Sequence, residues 1–293
     1  MPVLRGTAGD RGAYLPPRER VQALTEAQAQ RPSPLDVLTS DSLEVIGRLV
    51  DASNLALLVR LGDDPGLLAI YKPMVGERPL WDFPDGTLAG REVAAWAISS
   101  TGGWDIVPET VLRTGPHGLG SVQRWVGDPE QEAEYAVSLT APGTVPDGWL
   151  EVLEGEDARG QPVVLIHEDS PGTRAVAAFD AVINNSDRKG SHLVREGTAL
   201  RGFDHGVSLH EDDKLRTVFW GFAGEPLSAT ELARISRVHD AAVDDDSSLR
   251  AQLDELLTGA EIEALVRRCR SLLDRAAYPR PSGGWPAIPW PPL

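Results

Sequence analysis

Phe179-Asp-Ala-Val-Ile-Asn-Asn-Ser-Asp187-Arg-Lys-Gly-Ser-His192, with Gly202-Phe-Asp204-His-Gly206 close behind, is the stretch on which the reading of this chain turns. The apolar run from Ala177 to Ile183 predicts a buried helix that empties into a polar loop carrying an Asp-Arg pair. A short strand, Leu200-Arg-Gly-Phe, then ends in a second Asp beside His205 and Gly206. Acidic side chains seldom enter so apolar a setting unless they are paired or take part in chemistry.

Outward from this stretch the chain divides by pattern. Residues 1–38 are rich in Pro, Arg and Gln and read as an N-terminal arm, with one short helix expected over Arg20–Gln30. Residues 39–126 favour strands: Leu43–Val50, Ala56–Leu61 and Gly66–Lys72 are short apolar runs bounded by turn residues. One helix, Ala89–Ser100, interrupts them. Residues 127–293 form a mainly helical part, with helices expected over Thr173–Asn184, Ser228–His239 and Ser247–Ala277. It opens with an acidic insert (127–172), where Trp149–Leu153 and Pro162–His167 pair as a hairpin around Asp157-Ala-Arg-Gly. It closes with a Pro/Trp-rich tail (278–293) that cannot be helical and is expected to pack back on the helices. Strands first and helices second make an α+β chain of two lobes, and a cleft between lobes is the usual place for a small ligand.

Composition narrows the partners. The 293 residues carry a net charge of −16 and are 41% hydrophobic. That charge repels nucleic acid and anionic lipid, so neither nucleic-acid binding nor stable membrane association is expected. The single cysteine, Cys269, sits in a helical pattern and reads as packing; with one cysteine there is neither an intrachain disulfide nor a Cys-based zinc site. No apolar run is long enough to span a bilayer and no signal pattern opens the chain, so a cytoplasmic location is expected.

The candidate chemistry is that of phosphoryl transfer from a metal-bound nucleotide, in which one acid orients the attacking group and another holds the metal. Asp187 is placed to accept a hydrogen bond from the acceptor hydroxyl, Arg188 to hold the loop through a buried ion pair, and Lys189 to offset phosphate charge. Asp180, on the preceding helix, reads as a brace for that loop. Asp204, at a strand end beside a glycine, is a hard oxygen ligand suited to Mg²⁺. His192 faces the same site; imidazole suits Mn²⁺ better than Mg²⁺. Lys72 leaves an apolar strand, where a lysine can simply snorkel. Paired with Glu92, on the helix of the first half, it would place an ammonium on nucleotide phosphates. The turn Val50-Asp-Ala-Ser-Asn-Leu, with Ser53 and Asn54, can close over those phosphates, although an ordinary hairpin turn explains it as well. His210 reads as structural and His167 as a solvated loop residue of the acidic insert.

Asn185-Ser-Asp187-Arg-Lys-Gly-Ser-His192 with Phe203-Asp204-His-Gly206 resembles the catalytic and metal-binding loops of the phosphatidylinositol 3- and 4-kinase family, an atypical layout shared by HipA-type bacterial kinases. The chain is most similar to the actinobacterial phosphatidylinositol kinase-like proteins, over roughly Leu43–Gly221. The resemblance implies a two-lobed protein-kinase-like fold with a nucleotide cleft, and ATP with Mg²⁺ or Mn²⁺ as cofactors. It implies that Lys72 contacts phosphates, Glu92 pairs with it, Asp187 orients the acceptor and Asp204 binds metal. It also implies that Gln123, Arg124, Trp125 and Val126 hold adenine at the hinge. The chain departs from the family twice: His192 stands where the family has Asn, and the segment Ser208–Arg216 is acidic first instead of basic. An ATP-dependent kinase acting on a protein or soluble small molecule is therefore expected. The alternatives are a nucleotide-binding pseudokinase, an AMP-transferase and a phosphoinositide lipid kinase.

Overall fold

The computed structural model describes residues 32–49, 54–63, 66–78, 80–127, 135–283 and 286–293. The helix expected over Arg20–Gln30, and Ser53 with most of its turn, lie outside the described residues. The fold is α+β, with an antiparallel sheet in the N-terminal part and helices dominating the C-terminal part.

A short helix, α1 (Pro34–Ser40), comes first, started by a capping box between Ser33 and Asp36 with Pro34 in the first turn. It begins inside the stretch expected to be an arm and runs two residues beyond it. Its Leu38 is fully buried against the sheet, which holds so short a helix in place. The sheet has the order β1-β2-β3-β5-β4, built from β1 (Leu43–Arg48), β2 (Leu57–Leu61), β3 (Leu67–Pro73), β4 (Thr110–Gly115) and β5 (Gly118–Arg124). Alternation puts Leu57, Val59, Leu61, Ala69, Tyr71 and Val122 in one core with Leu38. Lys72, next to Tyr71 and opposite Ser121, points from the other face.

Between β3 and β4 runs α2 (Leu88–Gly102), capped by Thr87 and ended by Gly103 in the left-handed region. Its Ala94, Ala95 and Ile98 belong to the large C-terminal core, which also holds Phe179, Ile183, Ile235 and Leu253. The helix that carries Glu92 is therefore fixed by packing against the helical part.

The acidic insert is a second antiparallel sheet: β6 (Val137–Thr140), β7 (Trp149–Glu156) and β8 (Pro162–Glu168), in the order β6-β8-β7. The pairing of β7 with β8 matches the expected hairpin; β6 has no strong signal of its own. His167, expected in a solvated loop, is fully buried on β8 against Phe219 and Phe222. The strand's inward alternation overrides its polar neighbours in sequence.

Helix α3 (Pro171–Ile183) follows, and then the hairpin of β9 (Leu193–Glu196) and β10 (Ala199–Gly202). Helices α4 (Ala229–Val243), α5 (Ser248–Leu256) and α6 (Gly259–Arg275) complete the core. The single helix expected over Ser247–Ala277 is two. Thr258 and Glu261 form a capping box, and Thr258 takes extended backbone, so α6 restarts there. Cys269 is buried in that core, and its thiol is pushed up to about 12 by burial. Among the described residues no helix is long and apolar enough to cross a membrane.

Candidate active site

Helix α3 delivers the central loop. Asn184 ends it in left-handed backbone, which asparagine tolerates better than most residues. Its amide donates to the carbonyl of Asp212 at 2.6 Å and accepts from the Lys214 N–H at 3.0 Å, so it anchors the segment after Asp204. Asn185 turns the other way. It donates to Asp180 at 3.0 Å and accepts the Asp187 N–H at 3.0 Å, shaping the turn that presents Asp187.

Arg188 is fully buried. Its Nε lies 2.9 Å from Asp180 Oδ2 and its Nη2 3.0 Å from Oδ1, a two-pronged ion pair beneath the loop. The guanidinium also donates to the carbonyls of His192 and Phe203, tying the loop to the β9–β10 hairpin. Arg188 Nη2 meets His205 Nε2 at 2.7 Å, and because an arginine only donates, that ring nitrogen accepts. His205 is thus neutral, held well below its usual range by burial and by Arg188. Arg188 faces the protein interior and does not line the cleft.

Lys72 joins three distant segments. Its ammonium lies 2.5 Å from Glu92 Oε1 and also donates to Asp204 Oδ1. Burial opposes that charge, but Glu92 and Asp204 together carry the lysine above its usual range. Glu92 Oε2 accepts the backbone N–H of His205 at 3.0 Å, so one carboxylate binds both the lysine and the Asp204 loop. Asp204 takes positive φ (62°), an uncommon conformation for a residue with a side chain. Lys72 holds its carboxyl well below the ordinary range against the effect of burial. Gly206 follows where a Cβ would come 3.2 Å from Leu88, so the loop passes close against the start of α2.

These groups meet in a cleft of about 420 Å³ lined by Lys72, Glu92, Asp187, Lys189, His192 and Asp204, with Asn54 and Arg216 at its walls. Asp187 pairs with Lys189 at 3.1 Å. Burial raises its carboxyl, and Lys189 opposes the shift. His192 Nε2 stands 3.6 Å from Asp204 Oδ2, while its buried Nδ1 has no partner among the described residues. Burial lowers this ring to about 4, so it is neutral near pH 7 and free to act as a ligand.

The side chains of other expected residues are engaged elsewhere. Asn54 accepts the Arg78 N–H at 3.0 Å. Gln123 donates to Thr110 at 2.9 Å inside the sheet, and Arg124 pairs with Glu109 at 2.5 Å and Glu196 at 2.7 Å. Trp125 donates to the Gly127 carbonyl at 3.1 Å, and none of residues 123–126 lines the cleft. Arg124 thereby ties the first sheet to the β9–β10 hairpin.

Among the described residues no cluster of three or more His, Cys, Asp and Glu side chains converges as a self-sufficient metal site. The Asp204–His192 pair still fits a cation shared with a nucleotide. Magnesium is commonly held by one or two protein groups plus phosphates, and the mixed oxygen and nitrogen donors also suit manganese.

No family model matches the sequence. It is 44% identical over 271 residues to Protein Rv2133c of Mycobacterium tuberculosis, an alignment covering 87% of this chain and 94% of that one. The chain belongs to the family of Protein Rv2133c. Among solved structures, the golgi casein kinase matches with a TM-score of 0.50 at 13% identity, over 84% of this chain and 79% of its own. The Helicobacter pylori proinflammatory kinase CtkA matches with a TM-score of 0.46 at 14% identity, over 82% and 96%. The match to the golgi casein kinase shows a kinase-like fold.

Arg216, His205 and the two asparagines carry parts of this site that sequence reasoning missed. The partners of Arg216, His205 and Asn184 are backbone groups and side chains remote in sequence, which no local spacing announces, whereas Asn185 bonds locally to Asp180 and Asp187.

Proposed function

We propose that the chain is an ATP-dependent phosphotransferase that moves the γ-phosphoryl group to a hydroxyl of a protein or soluble small molecule. The observation that carries this reading is the bridge from Lys72 to Glu92 and Asp204, on the wall of a cleft that also holds Asp187. A strand lysine, a helix glutamate and a loop aspartate so joined are the parts that orient nucleotide phosphates in kinases.

In this reading Lys72 releases Asp204 when nucleotide arrives and binds phosphate oxygens, while Glu92 keeps the ammonium aimed. Asp204 and His192 would hold Mg²⁺ or Mn²⁺ against the phosphates, and such a cation neutralises the charge of the transferred group. Asp187 accepts the proton of the acceptor hydroxyl. Lys189, on Asp187, offsets charge developing on the phosphoryl oxygens. Arg188 acts only through the loop it braces. The adenine position that the resemblance implies for Gln123–Val126 would not use the side chains of Gln123, Arg124 and Trp125, which bond to Thr110, to Glu109 and Glu196, and to the Gly127 carbonyl.

A second reading, a nucleotide-binding pseudokinase, is favoured by His192 at a position where the resembling kinases carry Asn. Purified protein given γ-labelled or α-labelled ATP with Mg²⁺ or Mn²⁺ separates the two. Label transferred from γ alone supports the phosphotransferase, and label from α alone replaces it with AMP transfer. No transfer, together with a nucleotide-dependent rise in melting temperature, supports the pseudokinase.

A further inference from the structure

Arg216 is placed beside Asp187 by the main chain. Its N–H donates to the carbonyl of Asn185 at 2.9 Å, and its own carbonyl accepts the Arg188 N–H at 3.0 Å. Residues 188 and 217 form a parallel bridge, so the segment bearing Arg216 runs alongside the loop bearing Asp187. The C-terminal tail sets the side chain: Nη2 donates to the Ile288 carbonyl at 3.2 Å. The same tail accepts from the N–H groups of Thr217 and Gly190 and from the Trp220 indole, so it straps both segments.

Arg216 lines the cleft, yet among the described residues no carboxylate pairs with it and its buried Nε has no acceptor. Lys189 already sits on Asp187. Arg216 is thus a surplus cation beside the acid, in a chain whose net charge is −16. A planar fork of donors with an unfilled position is suited to a carboxylate or a phosphate. In the proposed function Lys72 and Asp204 take the nucleotide's phosphates and their cation, which leaves Arg216 unassigned.

We propose that Arg216 anchors an acceptor subsite for a hydroxyl compound that carries a carboxylate or phosphate next to the reacting hydroxyl. This rests on the phosphotransferase reading of Asp187. The acceptor oxygen would bond to the γ-phosphorus as the bond to the ADP oxygen breaks, and the hydroxyl proton would pass to Asp187. A free hydroxy acid and an acidic peptide supply the same chemistry.

The test titrates the full chain with inorganic phosphate, with and without Mg²⁺ and a non-hydrolysable ATP analogue. Wild type should bind, and Arg216→Gln should weaken binding about tenfold or more, the loss of one charge-assisted contact. Arg216→Lys should recover part of it, and Asp187→Ala should bind as well as wild type or better. No binding by wild type, or equal binding by Arg216→Gln, overturns the proposal. With γ-labelled ATP, label on glycerate but not on a Glu-flanked serine peptide assigns a small acceptor, and the reverse assigns a peptide. Label only on glycerol or a Lys-flanked peptide overturns the subsite. If nothing is labelled, the phosphotransferase reading falls, while the phosphate titration still decides the role of Arg216.

Discussion

Glu92 Oε2 accepts the backbone N–H of His205 at 3.0 Å while its other oxygen holds Lys72. One side chain of α2 therefore fixes both the lysine and the loop on which Asp204 sits. Because α2 is packed into the C-terminal core, the geometry of the cleft follows that core.

Glu92→Gln keeps an oxygen for the His205 N–H but loses the charge that aims Lys72. Turnover should fall about 10²-fold or more with little change in stability, as expected when an orienting group is lost. Glu92→Ala removes both contacts and should cost a further 1–3 kcal/mol or so of stability. Steady-state rates and urea melts on the two variants check the split; equal stability in both would contradict the double role.

The Asp180–Arg188 pair has both partners fully buried. Arg188→Met strands Asp180 without its partner and should cost about 3–5 kcal/mol. Arg188→Met with Asp180→Leu should cost much less than the sum of the single changes, since the desolvated charge goes with its partner. A double-mutant cycle by denaturant unfolding reads the coupling, and additive losses would show that the pair braces nothing.

His167 is buried against Phe219 and Phe222, and burial lowers its pKa. It is neutral when folded and takes up a proton more readily when unfolded. Its contribution is therefore whole above the free-histidine range of about 6.5 and is lost as pH falls below it. Melting temperature should drop on acidification, and His167→Gln should flatten that drop below about pH 6.5. An unchanged acid limb in the variant would assign the loss to other groups.

The lysine strand, the glutamate helix, both aspartate loops and the β7–β8 hairpin were legible because each has local periodicity or turn chemistry. Where the sequence misled, longer-range contacts decided. Helix α1 is held by Leu38 beneath the sheet, and the break at Thr258 depends on a cap that a continuous apolar pattern conceals. His167 looks solvated among acids until strand alternation turns it inward. Arg216 reads as one charge in an acidic segment, and only its pairing with residues 185–188 brings it to Asp187.

The tail docks on the loop through Gly190, where a Cβ would come 2.8 Å from Leu293, and through the carbonyl of Pro292. A Cβ there would also come 2.9 Å from the Val137 Cβ on β6, so Gly190→Val should push the loop off both the tail and β6 and reduce turnover more than it reduces nucleotide affinity. Comparing kcat with the nucleotide-induced melting shift checks this; a loss confined to nucleotide binding would contradict it.

Asp187→Ala, assayed for transfer from γ-labelled ATP beside a melting titration with ATP and Mg²⁺, tests the role of Asp187 most directly. Transfer should fall to background while the nucleotide-induced melting shift persists. Transfer at the wild-type rate would contradict the assignment of Asp187 as the group that receives the acceptor's proton.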